Sequence, residues 1–234
     1  MRDGDRETRI LDAAADLLLR HGYRRVTIDD IAQAAGVGKG TVYLHWKTRE
    51  ALFAAVFDRE VQQAIDSLVR SLRADLDGFL LHKLARAYFL AITERPLLRG
   101  FLIGDTDLLG RLARHDVSRE KRHEILSQEY SELLAEHGLL HPSLTVESAV
   151  DGFLATFEGF LRTGAPQPER WADLLEGTVE RAFSSGRRLP KATREMLNRK
   201  VIDLLPSADS GWPEQEEDEQ ASKNAATRTS RSNT

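Results

Sequence analysis

The spacing of apolar positions along this chain predicts a protein built from α-helices. Apolar side chains recur every three or four residues from about residue 6 to about residue 205, and no stretch alternates apolar and polar residues as a half-exposed strand would. Glycines and prolines fall between the periodic stretches, where helices are expected to stop and start. The predicted fold class is therefore all-α. The predicted helices cover approximately residues 6–21, 28–35, 38–44, 49–72, 76–94, 96–103, 105–114, 118–137, 145–163, 167–184 and 190–205.

Residues 22–50 contain two short predicted helices that are joined by a tight turn. Thr27 is a good N-cap for the first of them, and Gly36 can take the positive φ that ends it. Ala32 is small enough for a crossing helix to come close, and Val42 lies where a side chain can fill the gap between the two helices. This spacing is typical of a helix-turn-helix, which places its second helix in the major groove of DNA.

The outward side chains of the second helix suit contacts with DNA. Lys39 can donate to guanine O6 or N7 or to a phosphate, Thr41 offers a hydroxyl and a methyl group, and His45 can donate or accept. Tyr43 and Lys47 lie further round the surface, where phosphate contacts set position rather than sequence. The alternative is that these are ordinary solvated residues of a small helical unit. Because spacing, turn and surface chemistry agree, the pattern favours DNA binding.

The segment from Thr8 to Phe57 resembles the TetR (tetracycline-repressor-like) family of transcriptional regulators. The resemblance rests on a first helix ending in His-Gly-Tyr, on Gly36-Val37 in the turn, on Gly40-Thr41-Val42-Tyr43, and on the Lys-Thr-Arg-Glu-Ala-Leu start of the fourth helix. Gly38 departs from the family pattern, which more often has Ser there, and is expected to leave the recognition helix poorly capped. The resemblance implies phosphate contacts from Thr27, Tyr43 and Lys47 and base contacts from Lys39, Gly40, Thr41, Leu44 and His45.

The resemblance also implies a domain organisation and a mode of action. A helix-turn-helix domain would cover residues 5–50, with its motif at about 28–47, and a helical domain for effector binding and dimerisation would cover residues 51–205. Families of this kind are all-helical homodimers that usually repress transcription and leave DNA when a small molecule binds the C-terminal domain. We therefore expect a homodimer on a near-palindromic double-stranded DNA operator. No residue distinguishes repression from activation, and repression is the family's usual mode.

Composition and charge agree with this interpretation. The chain has 234 residues, a formal net charge of −4 and no cysteine, which excludes disulfides and thiolate metal sites. Residues 206–234 hold six acidic and three basic residues, so the rest of the chain is nearly neutral and a local basic surface suffices for phosphate attraction. This segment is predicted to be a disordered polar tail. No apolar run is long enough to span a membrane, and a cytoplasmic protein without membrane contact is expected.

The predicted helices at 145–163 and 167–184 are the candidate dimer interface. Small residues are interleaved with aromatic ones, which lets helices approach closely and supplies the buried area that association requires. Two such hairpins would form a four-helix bundle across a twofold axis. The alternative is that this apolar stripe packs only on its own domain. The candidate interface residues are Ala149, Gly152, Phe153, Thr156, Phe160, Leu175, Thr178, Val179 and Ala182.

An effector pocket among the fourth, fifth, seventh and eighth helices is implied by the resemblance. Such pockets are mostly apolar with a few placed polar groups, and Tyr88, His123 and Tyr130 are the polar candidates. The alternative for each residue is an ordinary core or surface position. The expected effector is an aromatic or amphipathic organic compound, and no cofactor or metal is predicted. The candidate lining residues are Phe57, Val61, Tyr88, Ile92, Phe101, His123, Leu126, Tyr130, Phe153 and Phe157.

Two other classes of function are alternatives to a ligand-responsive regulator: an enzyme, which fits the sequence less well, and a DNA-binding protein without an effector, which fits it equally well. An enzyme is disfavoured because the chain has no G-x-S-x-G, no phosphate-cradling glycine loop and no H-E-x-x-H. His115-Asp116 and His123-Glu124 resemble a scattered metal set, but their spacing fits no compact site. A DNA-binding protein without a small-molecule effector, governed by a partner protein or by its own concentration, is the second alternative. The sequence does not separate this alternative from a ligand-responsive regulator.

Overall fold

A computed structural model describes residues 3–109, 128–163 and 167–205, and it confirms the all-α prediction. Within these ranges, the β pairing consists of one isolated antiparallel bridge between Leu140 and Ser184. The helices are α1 (Asp3–His21), α2 (Ile28–Ala35), α3 (Lys39–His45), α4 (Arg49–Ala74), α5 (Leu81–Thr93), α6 (Pro96–Leu102), α7 (Thr106–Leu109), α8 (Gln128–Glu136), α9 (Val146–Arg162), α10 (Pro168–Phe183) and α11 (Lys191–Leu204).

The start and end of α2 follow from local chemistry. Thr27 Oγ1 accepts a hydrogen bond from the Asp30 backbone N–H at 3.2 Å, and the Asp30 carboxylate accepts from the Thr27 backbone N–H at 3.0 Å. This capping box satisfies N–H groups that have no partner within the helix. Gly36 ends α2 with φ at 64°, in the left-handed region that glycine adopts without a steric cost. The chain therefore turns sharply into α3.

The helix-turn-helix is fastened to α4 by Tyr23 and Arg49. The Arg49 guanidinium lies 4.2 Å from the centroid of the Tyr23 ring and donates to the Val26 carbonyl at 3.1 Å. The Tyr23 hydroxyl donates to the Glu50 carboxylate at 2.8 Å. Thr48 caps α4 by accepting from the Ala51 N–H at 3.0 Å. The first turn of α4 is thus bonded to the loop between α1 and α2, and the two elements are expected to move together.

Helices α5, α6 and α11 pack against α4. Helix α5 packs against both α4 and α10, and Arg86 of α5 pairs with Glu169 at 2.7 Å and with Asp173 at 3.0 Å, both on α10. Helix α11 lies antiparallel to the end of α4. Its Arg194 donates two bonds to the Asp77 carboxylate, and Asn198 donates to the Leu72 carbonyl at 2.7 Å.

Most helix bounds agree with the prediction to within about two residues, but two parts of the chain differ. The predicted helix at 76–94 begins only at Leu81, because residues 75–80 form a turn in which Asp75 accepts from the Asp77 N–H at 2.9 Å. Parts of the predicted helices at 105–114 and 118–137, and the whole predicted tail at 206–234, lie outside the described residues.

Candidate nucleic-acid interface

Helix α3 presents most of its surface to solvent. Its one buried residue is Val42, which belongs to the same buried core as Ala32 and Ala35 of α2. Leu44, on the opposite side, is 76% exposed, and Tyr43 is also exposed. Trp46 directly after the helix is buried. The exposed side chains of α3 are therefore among those predicted to face DNA.

Lys39 lies at the first position of α3 and pairs with an acid on α2. Its Nζ is 2.8 Å from the Asp29 Oδ2, and both side chains are more than half exposed. This bond and the charge of Asp29 raise the pKa of Lys39, so its ammonium is charged at physiological pH. The sequence pattern does not indicate the pairing with Asp29, because ten residues and a turn separate it from Lys39. An acidic residue at the second position of α2, Asp29, is the sequence feature that could have pointed to this ion pair.

Several predicted contact residues already have partners within the protein. Both donors of Thr27 are used, since its backbone N–H and its hydroxyl donate to Asp30 at 3.0 Å and 2.6 Å. These bonds lower the pKa of Asp30, so the acceptor stays charged. A phosphate contact at Thr27 would have to replace them. Lys47 donates to the Tyr43 carbonyl at 3.4 Å, a long bond that leaves its remaining N–H groups for another acceptor.

Glycines flank Lys39 on both sides. Gly38 is the N-cap of α3 and makes no side-chain cap bond, as predicted from its departure from Ser. A Cβ built on Gly40 would meet nothing within 4 Å, so the backbone there is open to solvent. Thr41 and His45 are half-buried, and the His45 ring lies 5.3 Å from the Trp46 ring. The N-terminal turn of α3 can therefore approach a groove closely.

The predicted dimer helices divide into a face that is buried within the chain and a face that is exposed. Four of the candidate interface residues are buried in the core of their own domain: Ala149, Phe153, Leu175 and Val179. In the single chain these four therefore pack on their own domain, which was the alternative to a dimer contact. The other candidates are half-buried or exposed. Along this outer face of α9 and α10 the exposed or half-buried residues are Gly152, Ala155, Thr156, Gly159, Phe160, Leu174, Thr178 and Ala182.

The predicted effector residues within the described ranges are mostly packed against one another. The Tyr88 ring stacks on Phe157 with centroids 5.0 Å apart, and Phe153 lies 5.6 Å from Phe157. Burial raises the pKa of Tyr88 and that of Tyr130, whose hydroxyl donates to the Phe79 carbonyl at 2.9 Å. Phe57, Ile92 and Phe101 are also buried, Val61 is half-buried, and His123 and Leu126 lie outside the described residues.

Cavities in the described part of the chain coincide only in small part with the predicted effector residues. A recess of about 470 Å³ opens between α4 and α5. Its lining includes the apolar residues Leu72 and Leu90 and the charged residues Lys83 and Glu176. None of the predicted effector residues lines it. Tyr130 and Phe153 line a much smaller cavity of about 10 Å³. Among the residues that the structure describes, no set of three potential metal ligands comes together, and no helix is long and apolar enough to cross a membrane.

A short, mostly exposed helix that follows its predecessor after a tight glycine turn is the arrangement of helix-turn-helix DNA-binding proteins. Comparison with known proteins supports this class. The family model of bacterial regulatory proteins of the tetR family matches residues 10–56. The regulator YdeS of Bacillus subtilis (strain 168) is 30% identical over 152 residues, which cover 64% of this chain and 75% of YdeS. The regulator YhgD of the same organism is 40% identical over 65 residues, 26% of this chain and only 34% of YhgD.

The chain belongs to the TetR family and is a DNA-binding transcriptional regulator. Its curated relatives are regulators rather than enzymes. Two solved structures share the fold. CprB from Streptomyces coelicolor A3(2) has a TM-score of 0.56 at 24% identity and covers 85% of this chain and 98% of its own. PfmR from Thermus thermophilus has a TM-score of 0.52 at 22% identity, covering 76% of this chain and 99% of its own.

Proposed function

We propose that this protein is a repressor that binds a near-palindromic operator as a homodimer and leaves it when a small apolar or amphipathic effector binds. Residues 5–50 would read the DNA, and residues 51–205 would bind the effector and form the dimer. The observation that carries the proposal is the exposure of α3. This seven-residue helix buries only Val42, and its open side combines Lys39, Thr41, Tyr43 and Leu44.

The exposed groups of α3 match the chemistry of a major groove. Lys39 supplies ammonium donors for guanine O6 and N7, and Thr41 and Leu44 supply apolar contacts for a thymine methyl group. Tyr43 and Lys47 would contact the sugar–phosphate backbone and fix the orientation of the helix, and the open backbone at Gly40 would approach the base edges. His45 is half-buried and would reach the DNA from the C-terminal end of α3. Because one short helix reads few bases, useful selectivity requires two copies of it.

The DNA-binding part of the proposal is tested by selection and titration. Wild-type protein would select duplexes from a random pool, and fluorescence anisotropy would compare a selected duplex with a scrambled one. Leu44→Ala should weaken binding to the selected duplex by about tenfold, since a lost base contact is worth about 1–3 kcal/mol. Tyr43→Ala removes a phosphate contact and should weaken binding to the selected and the scrambled duplex alike. Leu19→Ala, which truncates an exposed leucine on α1, is the matched control. If wild-type protein selects no sequence, or if Leu19→Ala weakens binding as much, the proposed interface is wrong.

A homodimer is supported by the outer face of α9 and α10. Leu174 is 47% exposed, and Phe160 and Trp171 form an edge-to-face pair, with ring centroids 5.9 Å apart, whose rings are only half-buried. Small residues at 155, 159 and 182 are exposed on the same two helices. A face of this kind exposes apolar area while letting a second pair of helices approach closely. The twofold partner would cover it with the same residues.

Effector release would be a shift between two arrangements of the helices. The aromatic rings of Tyr88, Phe153 and Phe157 fill the space between α5 and α9, so a ligand there must separate them and favour a different pose of α4. The size of the effect is limited by the difference in the ligand's affinity for the two arrangements. A metabolite panel would be screened by thermal stabilisation and by loss of anisotropy on the selected duplex. A gamma-butyrolactone belongs in the panel because one fold neighbour is described as a gamma-butyrolactone receptor.

Repression is tested by a reporter gene placed behind the selected duplex. Expression should fall when the protein is supplied and recover when a stabilising compound is added. An increase in expression on supplying the protein would contradict the repressor assignment and favour an activator. If the panel holds no compound that both stabilises the protein and releases DNA, effector control would give way to control by a partner protein or by protein concentration.

A further inference from the structure

Two adjacent acids begin α2, and they have different partners. Asp30 accepts from the backbone and side chain of Thr27 and closes the cap of its own helix. Asp29, one residue earlier, faces α3 and holds the ammonium group of Lys39 at 2.8 Å. The acid that would otherwise be a solvated surface group is thereby placed at the N-terminal turn of the recognition helix.

The Asp29–Lys39 pair changes what Lys39 can do. A lysine ammonium has three N–H donors, and Asp29 accepts one of them. Two donors remain, which matches the two acceptors, O6 and N7, that a guanine presents in the major groove. The side chain of a free lysine has four rotatable bonds and would find any nearby phosphate, whereas one anchored at its end points in a restricted direction. The pair therefore favours a base contact over a mobile phosphate contact.

Charge acts in the same direction. An unpaired Lys39 would add one cation to the surface that meets DNA and would raise affinity for every sequence alike. With Asp29 beside it, the pair has no net charge, so this sequence-independent attraction is reduced. A cation at the N-terminus of a helix is also electrostatically unfavourable, and Asp29 offsets that effect for α3. Because both side chains are more than half exposed, the pair contributes little to folding, and its removal should leave the fold intact.

We infer that Asp29 is a specificity-determining residue: it positions Lys39 to read a guanine and suppresses binding to DNA of the wrong sequence. This inference rests on the proposed function, in which α3 enters the major groove. Asp29 itself acts through Lys39 and is a positioning residue. Its role predicts that removing the carboxylate makes the protein bind DNA more tightly in general and less selectively.

The test compares Asp29→Asn with Asp16→Asn. Asp16 pairs with Arg20 on α1 at 2.8 Å and is similarly exposed, so this control removes the same charge and one exposed ion pair from the same unit. Each protein would be titrated by anisotropy against the duplex selected by wild-type protein and against its scrambled counterpart, at several salt concentrations. Far-UV circular dichroism and thermal melting would establish that both variants fold.

Asp29→Asn should raise affinity for the scrambled duplex about threefold and steepen its salt dependence by about one ion per protomer. The ratio of affinities for the selected and scrambled duplexes should fall about fivefold or more. Asp16→Asn should change neither quantity appreciably. A second selection with Asp29→Asn should show relaxed preference at one guanine position in each half-site.

The Lys39→Met background separates positioning from simple repulsion. There, adding Asp29→Asn should leave the affinity ratio unchanged, because no ammonium remains to be positioned. If the ratio falls as far as it does with Lys39 present, Asp29 acts directly on DNA and the inference is wrong. If wild-type protein is selective but Asp29→Asn behaves like Asp16→Asn, the inference fails while the proposed function stands. If wild-type protein shows no selectivity, both fail together.

Discussion

Asn198 provides a stringent test of how α11 holds the end of α4. Its Nδ2 donates to the Leu72 carbonyl at 2.7 Å, and Leu72 lies in the last turn of α4, where carbonyls have no partner within the helix. The contact joins residues 126 positions apart and is buried. Asn198 therefore supplies a bond that α4 cannot make for itself, and we expect its loss to destabilise both helices.

The magnitude follows from the atoms involved. Truncation in Asn198→Ala leaves the Leu72 carbonyl buried and unsatisfied, at a cost of about 1–3 kcal/mol. The same change removes the Asn198 Oδ1, which is buried without a hydrogen-bond partner and whose removal offsets part of that cost. A net loss of about 1–2 kcal/mol is expected, which lowers Tm by about 2–8 °C for a protein of this size. Asn198→Asp should cost more, because it places a carboxylate oxygen against the carbonyl.

Urea denaturation followed by circular dichroism would measure these differences at pH 7. Lys200→Ala is the control, since Lys200 is an exposed neighbour on the same helix and should change stability by less than about 0.5 kcal/mol. From most to least stable, the expected order is Lys200→Ala, Asn198→Ala and Asn198→Asp. If Asn198→Ala is as stable as the control, or if Asn198→Asp is the more stable of the two Asn198 variants, the bond to Leu72 does not hold α11 in place.

Two further predictions concern the dimer and the cap of α2. A Cβ built on Gly159 would meet nothing within 4 Å in the single chain, so Gly159→Arg should fold normally yet give a monomer in sedimentation velocity. The control is Ala192→Arg, an exposed change on α11, which should remain dimeric. A dimeric Gly159→Arg would refute the proposed interface. Because Thr27 lowers the pKa of Asp30 below its ordinary value of 3.8, the stabilisation is present above pH 3.8 and is lost as pH falls through the lower folded-state pKa. Wild-type protein should therefore exceed Asp30→Ala in urea stability at pH 6, and this advantage should shrink as the pH is lowered below 3.8. A gap that does not shrink would contradict the assignment.

Sequence patterns predicted the elements whose limits are set locally. Thr27 and Gly36 bound α2, and Thr48 and Thr145 cap α4 and α9, because each acts on backbone groups within three or four residues of itself. The family pattern in the first quarter of the chain then identified the helix-turn-helix. Where long-range contacts decide the structure, the prediction failed: residues 76–80 have helical periodicity but turn, with Asp77 bonded to Arg194, 117 residues away.

The sequence named candidate residues for the site but not the contacts that those residues make within the chain. The pattern placed Lys39 on the outer face of α3, but no spacing rule relates it to Asp29 across a turn. It named Thr27 as a phosphate ligand, although both donors of Thr27 are occupied by Asp30. On α10, apolar periodicity marked Leu175 and Val179, which pack inside the chain, because periodicity identifies a buried face without saying which partner covers it.

The uninterrupted length of α4 has a consequence for how far a small rearrangement can travel. Its 26 residues span about 39 Å, with the α11 contacts at one end and the Tyr23–Arg49 attachment to the helix-turn-helix at the other. A rod of this length that pivots by about 5° at its C-terminal end moves its N-terminal end by about 3.4 Å, the rise of one base pair. In the proposed homodimer, a displacement of that size at the N-terminal end of α4 would move each recognition helix by one base-pair step and take the two helices out of register with their half-sites.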